Sequence, residues 1–121
     1  MVNKNYLRGH LGEKRLQALL EKEGYAIQRA HASKGVFDIL AVHPEDGIKF
    51  IQVKRSKTPI KKTQSIINQN RDDIDKMLEF HTDNYEGVSR ELWMWFDPIA
   101  GSRSGTWRVL TITDNKIAEV E

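Results

Sequence analysis

Two strand-like segments joined by a turn occupy residues 36–55, which read VFDILAVHPEDGIKFIQVKR. Residues 36–42 are apolar almost throughout, and such a run predicts a strand at the centre of a sheet. An Asp-Gly pair marks the turn that follows. In residues 48–55 the pattern alternates, so Gln52 and Lys54 lie on one face of the second strand. The stretch therefore predicts two consecutive strands, the later of which carries polar groups on one face.

Further helical and strand patterns flank these two strands. They predict a helix at 7–23 that ends before Gly24, a strand at 25–30, a second helix at 64–80, and strands at 91–96 and 107–112. The resulting order is α-β-β-β-α-β-β. Because a doubly wound parallel sheet requires strict alternation of strands and helices, this order favours an α/β (α+β mixed) domain with a mixed sheet.

The composition is that of a globular protein of modest size. The chain has 121 residues, of which 39% are hydrophobic and 30% charged. This suits one domain over residues 1–121 and excludes a disordered chain. No apolar run approaches the ~18 residues that cross a bilayer, and the first residues lack the apolar stretch of a signal peptide. We therefore expect a location in the cytoplasm, or in the host cytoplasm if the gene is viral.

Several enzyme classes are excluded by the cysteine and histidine content. The sequence has no cysteine, which rules out disulfides, a thiol nucleophile and thiolate zinc sites. Its four histidines are scattered, without the i,i+4 pair of a His-Glu-x-x-His zinc hydrolase.

The net charge of +2 matters less than the distribution of the charges. Residues 1–34 hold seven basic and three acidic side chains, and residues 54–62 hold five basic and no acidic ones. One region therefore attracts polyanions and another repels them, which predicts an oriented contact with nucleic acid. The acids that form the repelling region are Asp72, Asp73, Asp75 and Glu79.

Polar side chains interrupt the apolar pattern at three places. Glu13 lies on the buried face of the first predicted helix, Asp38 interrupts an apolar strand, and Gln52 shares a strand face with Lys54. In one arrangement, Asp38 and Lys54 form an internal ion pair, which offsets the cost of burying charge, and Glu13 reaches the surface. In the other, the three oxygen-bearing side chains converge on a divalent cation beside Lys54, and their oxygen ligands suit Mg²⁺ or Mn²⁺.

The order and spacing of these residues resemble a known active-site motif. Asp38, thirteen further residues and the triplet Gln52-Val53-Lys54 are similar to the PD-(D/E)xK nuclease superfamily, in which a carboxylate on one strand precedes an acid-x-Lys triplet on the next. Over residues 5–62 the chain more closely resembles the archaeal-type (Hjc-like) Holliday junction resolvases. The residues that carry this resemblance are Arg8-Gly9, Glu13, Arg29, Ser33, Asp38-Ile39 and Gln52-Val53-Lys54.

Two positions depart from that pattern. Phe37 stands where a proline is common, and Gln52 stands where the triplet normally has an acid. A glutamine oxygen can bind a cation but carries no charge. We therefore expect weaker metal binding, with Glu13 compensating as the second carboxylate.

The resemblance implies a restriction-endonuclease-like core, with a central mixed β-sheet flanked by helices. It also implies Mg²⁺-dependent hydrolysis of DNA phosphodiesters, with Mn²⁺ able to substitute and no organic cofactor. Lys54 would orient the attacking water and stabilise charge on the phosphate. The metal ligands that the resemblance implies are Glu13, Asp38, the Gln52 side chain and the Val53 carbonyl.

Basic residues near the motif are candidates for holding DNA. Guanidinium groups grip phosphate with two parallel hydrogen bonds, and lysines give salt-dependent affinity without sequence preference. Arg8 and Arg29 could equally be solvated surface charges. For the basic run after the second strand, the position next to the motif favours DNA over a solvated loop. Ser33 is either a contact to phosphate or to metal-bound water, or an ordinary loop serine. The candidates are Arg8, Arg29, Lys34, Arg55, Lys57, Lys61 and Lys62.

The resemblance implies an endonuclease that resolves four-way (Holliday) junctions in DNA recombination or repair. Because one centre per chain cannot cut a junction symmetrically, the resemblance also implies a homodimer. Two alternatives stay open. One is a general or restriction-type DNA nuclease with the same chemistry, and the other is a DNA-binding module on the same fold that is catalytically weakened through Gln52.

Overall fold

A computed structural model describes residues 4–30, 35–99 and 105–120 of the chain, with side chains from residue 12 onward. Its helices and strands, in chain order, are α1 Lys4–Lys22, β1 Ala26–Arg29, β2 Ile39–His43, β3 Gly47–Ser56, α2 Thr63–Gln69, α3 Arg71–Leu78, β4 Val88–Phe96, β5 Thr106–Ile112 and β6 Ile117–Val120. A short 3₁₀ turn, Thr82–Asn84, lies between α3 and β4.

The strands form one six-stranded sheet in the order β1-β2-β3-β4-β5-β6. Strands β3 and β4 pair in parallel, and every other neighbouring pair is antiparallel. A parallel pair requires a crossover connection, and helices α2 and α3 supply it. The predicted fold class, a mixed sheet flanked by helices, is therefore confirmed.

Helices cover both faces of the sheet. On the face covered by α1, Leu16 and Leu20 are fully buried against a cluster that includes Ile39 and Ile51. On the opposite face, Ile74 and other side chains of α2 and α3 pack against apolar residues of β4 and β5. Each fully buried Leu or Ile contributes about 1.5–3 kcal/mol to folding through the hydrophobic effect.

The turn between β2 and β3 requires its glycine. Gly47 has φ +90°, and a Cβ built on it would overlap the carbonyl oxygen of Gly87. A side chain is therefore excluded both by backbone conformation and by the close approach of the chain that leads into β4. The predicted Asp-Gly turn is confirmed.

The second predicted helix is in fact two helices, so the prediction of one helix over 64–80 is wrong. Asn70 separates them with φ −110° and ψ 22°. Its side chain is buried, and the side-chain amide donates a hydrogen bond to the carbonyl of Ile66 at 2.8 Å. An asparagine that competes for backbone carbonyls in this way interrupts helical geometry.

Strand β2 begins at Ile39, three residues later than the apolar run predicts. Phe37 leaves the strand because its ring packs against Phe50 and Phe80, with ring centroids 5.3 and 5.1 Å away. Strand β6 was not predicted. It has four residues and pairs only with β5, across a turn in which Thr113 N–H donates to the carbonyl of Lys116 at 2.9 Å.

Candidate active site

Asp38 lies where β2 and β3 separate. The pairing of these strands reaches Ile39 opposite Ile51. One residue earlier, the backbone N–H of Asp38 still donates to the carbonyl of Ile51 at 2.8 Å. Its side-chain Oδ2 then accepts a hydrogen bond from the N–H of Val53 at 2.8 Å. The carboxylate thus replaces the absent strand partner and is fixed in the gap between the two strands.

Val53 directs its backbone toward the same gap. The N–H and C=O of a strand residue point to the same side, so the Val53 carbonyl is expected to face the space that Asp38 borders. Gln52 and Lys54 project from the face covered by α3, beside the core residues Leu92 and Met94 of β4. The predicted alternation along β3 is therefore confirmed.

Glu13 reaches the site from the other face of the sheet. Helix α1 approaches β3 closely there, since a Cβ built on Gly12 would lie 3.9 Å from Cγ1 of Val53. The Glu13 side chain is 22% exposed, and its Oε2 accepts a hydrogen bond from Nη2 of Arg29 at 2.7 Å. Arg29 therefore holds Glu13 at the rim of the site, and its predicted contact with phosphate stays a prediction.

Lys54 has a partner that the sequence pattern does not predict. Its Nζ lies 2.7 Å from Oδ2 of Asp73, near the start of α3. The internal ion pair considered above, between Asp38 and Lys54, is therefore not the one that the structure contains. Asp73 is also one of the four acids in the region predicted to repel polyanions, and its carboxylate lies beside Lys54. Its spacing of four residues from buried Met77, on the inner side of α3, was the available signal.

Burial raises the pKa of the Asp38 carboxyl above its ordinary value of 3.8. The hydrogen bond from Val53 opposes this rise, as does the nearby charge of Lys54. The negative charges of Glu13 and Asp73 add to it. Glu13 and Asp73 are thus both close enough to Asp38 to act on its carboxylate electrostatically.

The donor set fits a hard divalent cation. Glu13, Asp38, Gln52 and the Val53 carbonyl all offer oxygen, the ligand type that Mg²⁺ and Mn²⁺ prefer. Among the residues that the structure describes, no three acidic or histidine side chains form a ready-made metal group. Mg²⁺ usually retains several waters and needs only one or two carboxylates, so Glu13 and Asp38 are sufficient in number.

The predicted DNA-binding residues occupy several positions. Arg55 makes a two-pronged ion pair with Asp97, at 2.9 and 2.6 Å. Lys57, Lys61 and Lys62 are exposed on the connection from β3 to α2. Arg8 lies on α1, in the part whose side chains are not described, and Ser33 and Lys34 lie outside the described residues.

In the described parts of the chain, no helix is long and apolar enough to span a membrane.

Comparisons with known proteins indicate the family of the chain. The family model described as archaeal Holliday junction resolvase (hjc) matches residues 4–113. Crossover junction endodeoxyribonuclease Hjc from Methanocaldococcus jannaschii is 39% identical over 75 residues, which are 62% of this chain and 50% of that protein. The chain therefore spans about half the length of that relative.

A solved structure has the same fold. Archaeoglobus fulgidus Hjc, a Holliday junction resolvase from an archaeal hyperthermophile, superposes with a TM-score of 0.57 at 19% identity. The match covers 94% of this chain and 84% of that one. On the family match, which extends over most of its length, the chain belongs to the archaeal Holliday junction resolvase (Hjc) family.

Proposed function

We propose that this protein is a divalent-metal-dependent endonuclease that resolves four-way DNA junctions by phosphodiester hydrolysis. The observation that carries the proposal is the fixed carboxylate of Asp38 between β2 and β3, with Lys54 and Glu13 near enough to affect its pKa. Membership of the Hjc family supports the junction as the substrate. The whole of residues 1–121 would act as one nuclease domain.

Glu13, Asp38, the Gln52 amide oxygen and the Val53 carbonyl would hold Mg²⁺, or Mn²⁺ in its place. A divalent cation bound by these groups supplies Lewis-acid chemistry, which lowers the pKa of water and polarises the phosphate. The protein's contribution is to orient its ligands. Val53 N–H fixes one oxygen of Asp38, so the other oxygen is available to a ligand.

Lys54 would act on the phosphate directly. Its side chain is 31% exposed and lies near the end of β3, on the same strand face as Gln52. A cation in a partly dehydrated site stabilises the negative charge that develops on the phosphate during hydrolysis. In the same position it can orient the attacking water by hydrogen bonding.

The exposed lysines after β3 would hold a DNA arm beside the site. Lys57, Lys61 and Lys62 follow the strand that carries Lys54, so they can contact phosphates next to the cleaved bond. Symmetric cutting of a junction requires two centres, which favours a homodimer acting in recombination or repair. Its place of action would be the cytoplasm, or the host cytoplasm for a viral gene, where such DNA is found.

The test uses the purified chain, a synthetic four-way junction and a linear duplex of matched sequence. Each substrate is incubated with Mg²⁺, with Mn²⁺ and with EDTA, and Asp38→Asn is assayed beside the wild type. We expect paired nicks on the junction alone, lost in EDTA and in Asp38→Asn.

Other results would change the assignment. Equal cutting of the junction and the duplex would indicate a general or restriction-type nuclease. Tight binding of the junction without cutting in either metal would leave a DNA-binding module on a nuclease fold.

A further inference from the structure

Asp73 makes the closest charged contact to Lys54 that the structure describes. Oδ2 of Asp73 lies 2.7 Å from Nζ of Lys54, and the two side chains are 34% and 31% exposed. Asp73 belongs to the first turn of α3, a helix anchored in the core by Ile74 and Met77. Its carboxylate is therefore held by a rigid element rather than by a loop.

The charges of the site show what Asp73 contributes. Arg29 balances Glu13, with which it pairs at 2.7 Å, and without Asp73 the charge of Lys54 would cancel that of Asp38. The formal charges of Glu13, Arg29, Asp38 and Lys54 would then sum to zero. Asp73 gives this set one net negative charge, and negative charge is what a site needs to attract a divalent cation.

Gln52 explains why this charge is needed. It is neutral, and it lies on the same face of β3 as Lys54, two residues away. A carboxylate at position 52 would be the natural anionic neighbour of the lysine on that face. In this chain the lysine instead has its anionic neighbour on α3, across the space between the helix and the sheet.

We propose that Asp73 replaces the acid that is absent at position 52: it positions Lys54 and supplies the negative charge of the metal site from helix α3. This inference rests on the proposed function, because it assigns Asp73 to the same site. Asp73 acts through Lys54 and through the local field, and is a positioning residue rather than a catalytic one.

The test is a rescue experiment with two readouts. The variants are Asp73→Asn, Gln52→Glu and the double variant, with Asp72→Asn as the matched control. Asp72 is exposed and lies in the same first turn of α3, so its loss changes the helix dipole interaction in the same way. Mn²⁺ binding is measured by calorimetry on the protein alone, and junction cleavage is measured as kcat and KM separately.

We expect Asp73→Asn to weaken Mn²⁺ binding and to lower kcat, each by about tenfold, with KM for the junction little changed. Gln52→Glu in the same chain should restore both, because it returns the missing charge beside Lys54. Asp72→Asn should match the wild type. Urea unfolding midpoints of all variants equal to that of the wild type show that each is folded in both assays.

Two results would overturn the proposal. One is Mn²⁺ binding by Asp73→Asn equal to that of the wild type, and the other is a double variant no better than Asp73→Asn alone. The Mn²⁺ readout needs no DNA. If the wild type cut no substrate, the proposed function would fail while the calorimetry still decided the role of Asp73.

Discussion

The carboxylate of Asp38 accepts a hydrogen bond from the backbone N–H of Val53, at 2.8 Å, where a strand partner would otherwise lie. The carboxylate of Asp38 therefore has two separable roles. It accepts a hydrogen bond from β3, and it carries a negative charge in the site. Substitutions that remove one or both of these properties can therefore separate stability from activity.

Asp38→Asn is expected to keep the fold and lose the chemistry. Its side-chain oxygen can still accept from Val53 N–H, so the free energy of unfolding should change by less than about 1 kcal/mol. Cleavage should fall by about 100-fold or more because the charge is gone. Asp38→Ala leaves Val53 N–H unsatisfied and should also destabilise by about 1–3 kcal/mol. Urea unfolding and a junction-cleavage assay check both; an active Asp38→Asn would contradict the assignment.

The lysines between β3 and α2 should set the salt dependence of DNA binding. Replacing Lys57, Lys61 and Lys62 together by alanine removes up to three phosphate contacts, which should reduce the slope of log affinity against log salt by about one per contact. Fluorescence anisotropy of a labelled junction in EDTA measures the slope. Lys116→Ala, an exposed change on the β5–β6 turn, is the control. An unchanged slope in the triple variant would remove these lysines from the interface.

Arg90 ties the end of α3 to the end of β5. It is 0% exposed, and its guanidinium donates to the carbonyls of Ile112 and Phe80 at 3.1 and 2.7 Å. It also pairs with Asp83 and Asp114 at 3.2 and 3.1 Å. Because Arg90→Met leaves these acceptors without their buried donor, it should destabilise the protein by about 3–5 kcal/mol.

Arg71→Met is the control for Arg90→Met. Arg71 is 54% exposed, so its loss should change stability by less than about 0.5 kcal/mol. Denaturant unfolding midpoints compare the two variants with the wild type. Equal midpoints for both variants would show that the buried network of Arg90 adds nothing to stability.

The ion pair between Arg108 and Glu119 should make stability depend on pH. Two-pronged hydrogen bonds from Arg108, at 2.9 and 2.6 Å, lower the pKa of Glu119 below its ordinary value of 4.5. A carboxyl whose folded pKa is lowered stabilises the fold above its unfolded pKa and loses that contribution as the pH falls through the folded value. The pair joins β5 to β6, so its loss should loosen this edge of the sheet.

Glu119→Gln tests this dependence. At pH 7 it should lower the free energy of unfolding by about 0.5–1 kcal/mol, the usual range for a partly exposed ion pair. The difference from the wild type should shrink below pH 4.5 and disappear once Glu119 is protonated. Urea unfolding at a series of pH values measures it, and a difference independent of pH would show that charge is not involved.

Local pattern determined much of the fold. Alternation fixed which face of β3 carries Gln52 and Lys54, since side chains of a strand point to opposite sides in turn. An apolar run predicted β2, although the strand begins three residues later, and an Asp-Gly pair predicted its turn. Asn70 was harder to anticipate, because an asparagine interrupts a helix only when its side chain finds a backbone carbonyl, as it does at Ile66.

The sequence by itself predicted a mixed sheet, the order of its first five strands along the chain and the candidate residues Glu13, Asp38 and Lys54, because periodicity and spacing are local properties of the chain. Only the tertiary structure decided their partners. Lys54 pairs with Asp73, nineteen positions further along the chain, and Glu13 pairs with Arg29. Such ion pairs depend on how helices pack across the sheet, and the spacing of residues along the chain carries little information about that packing.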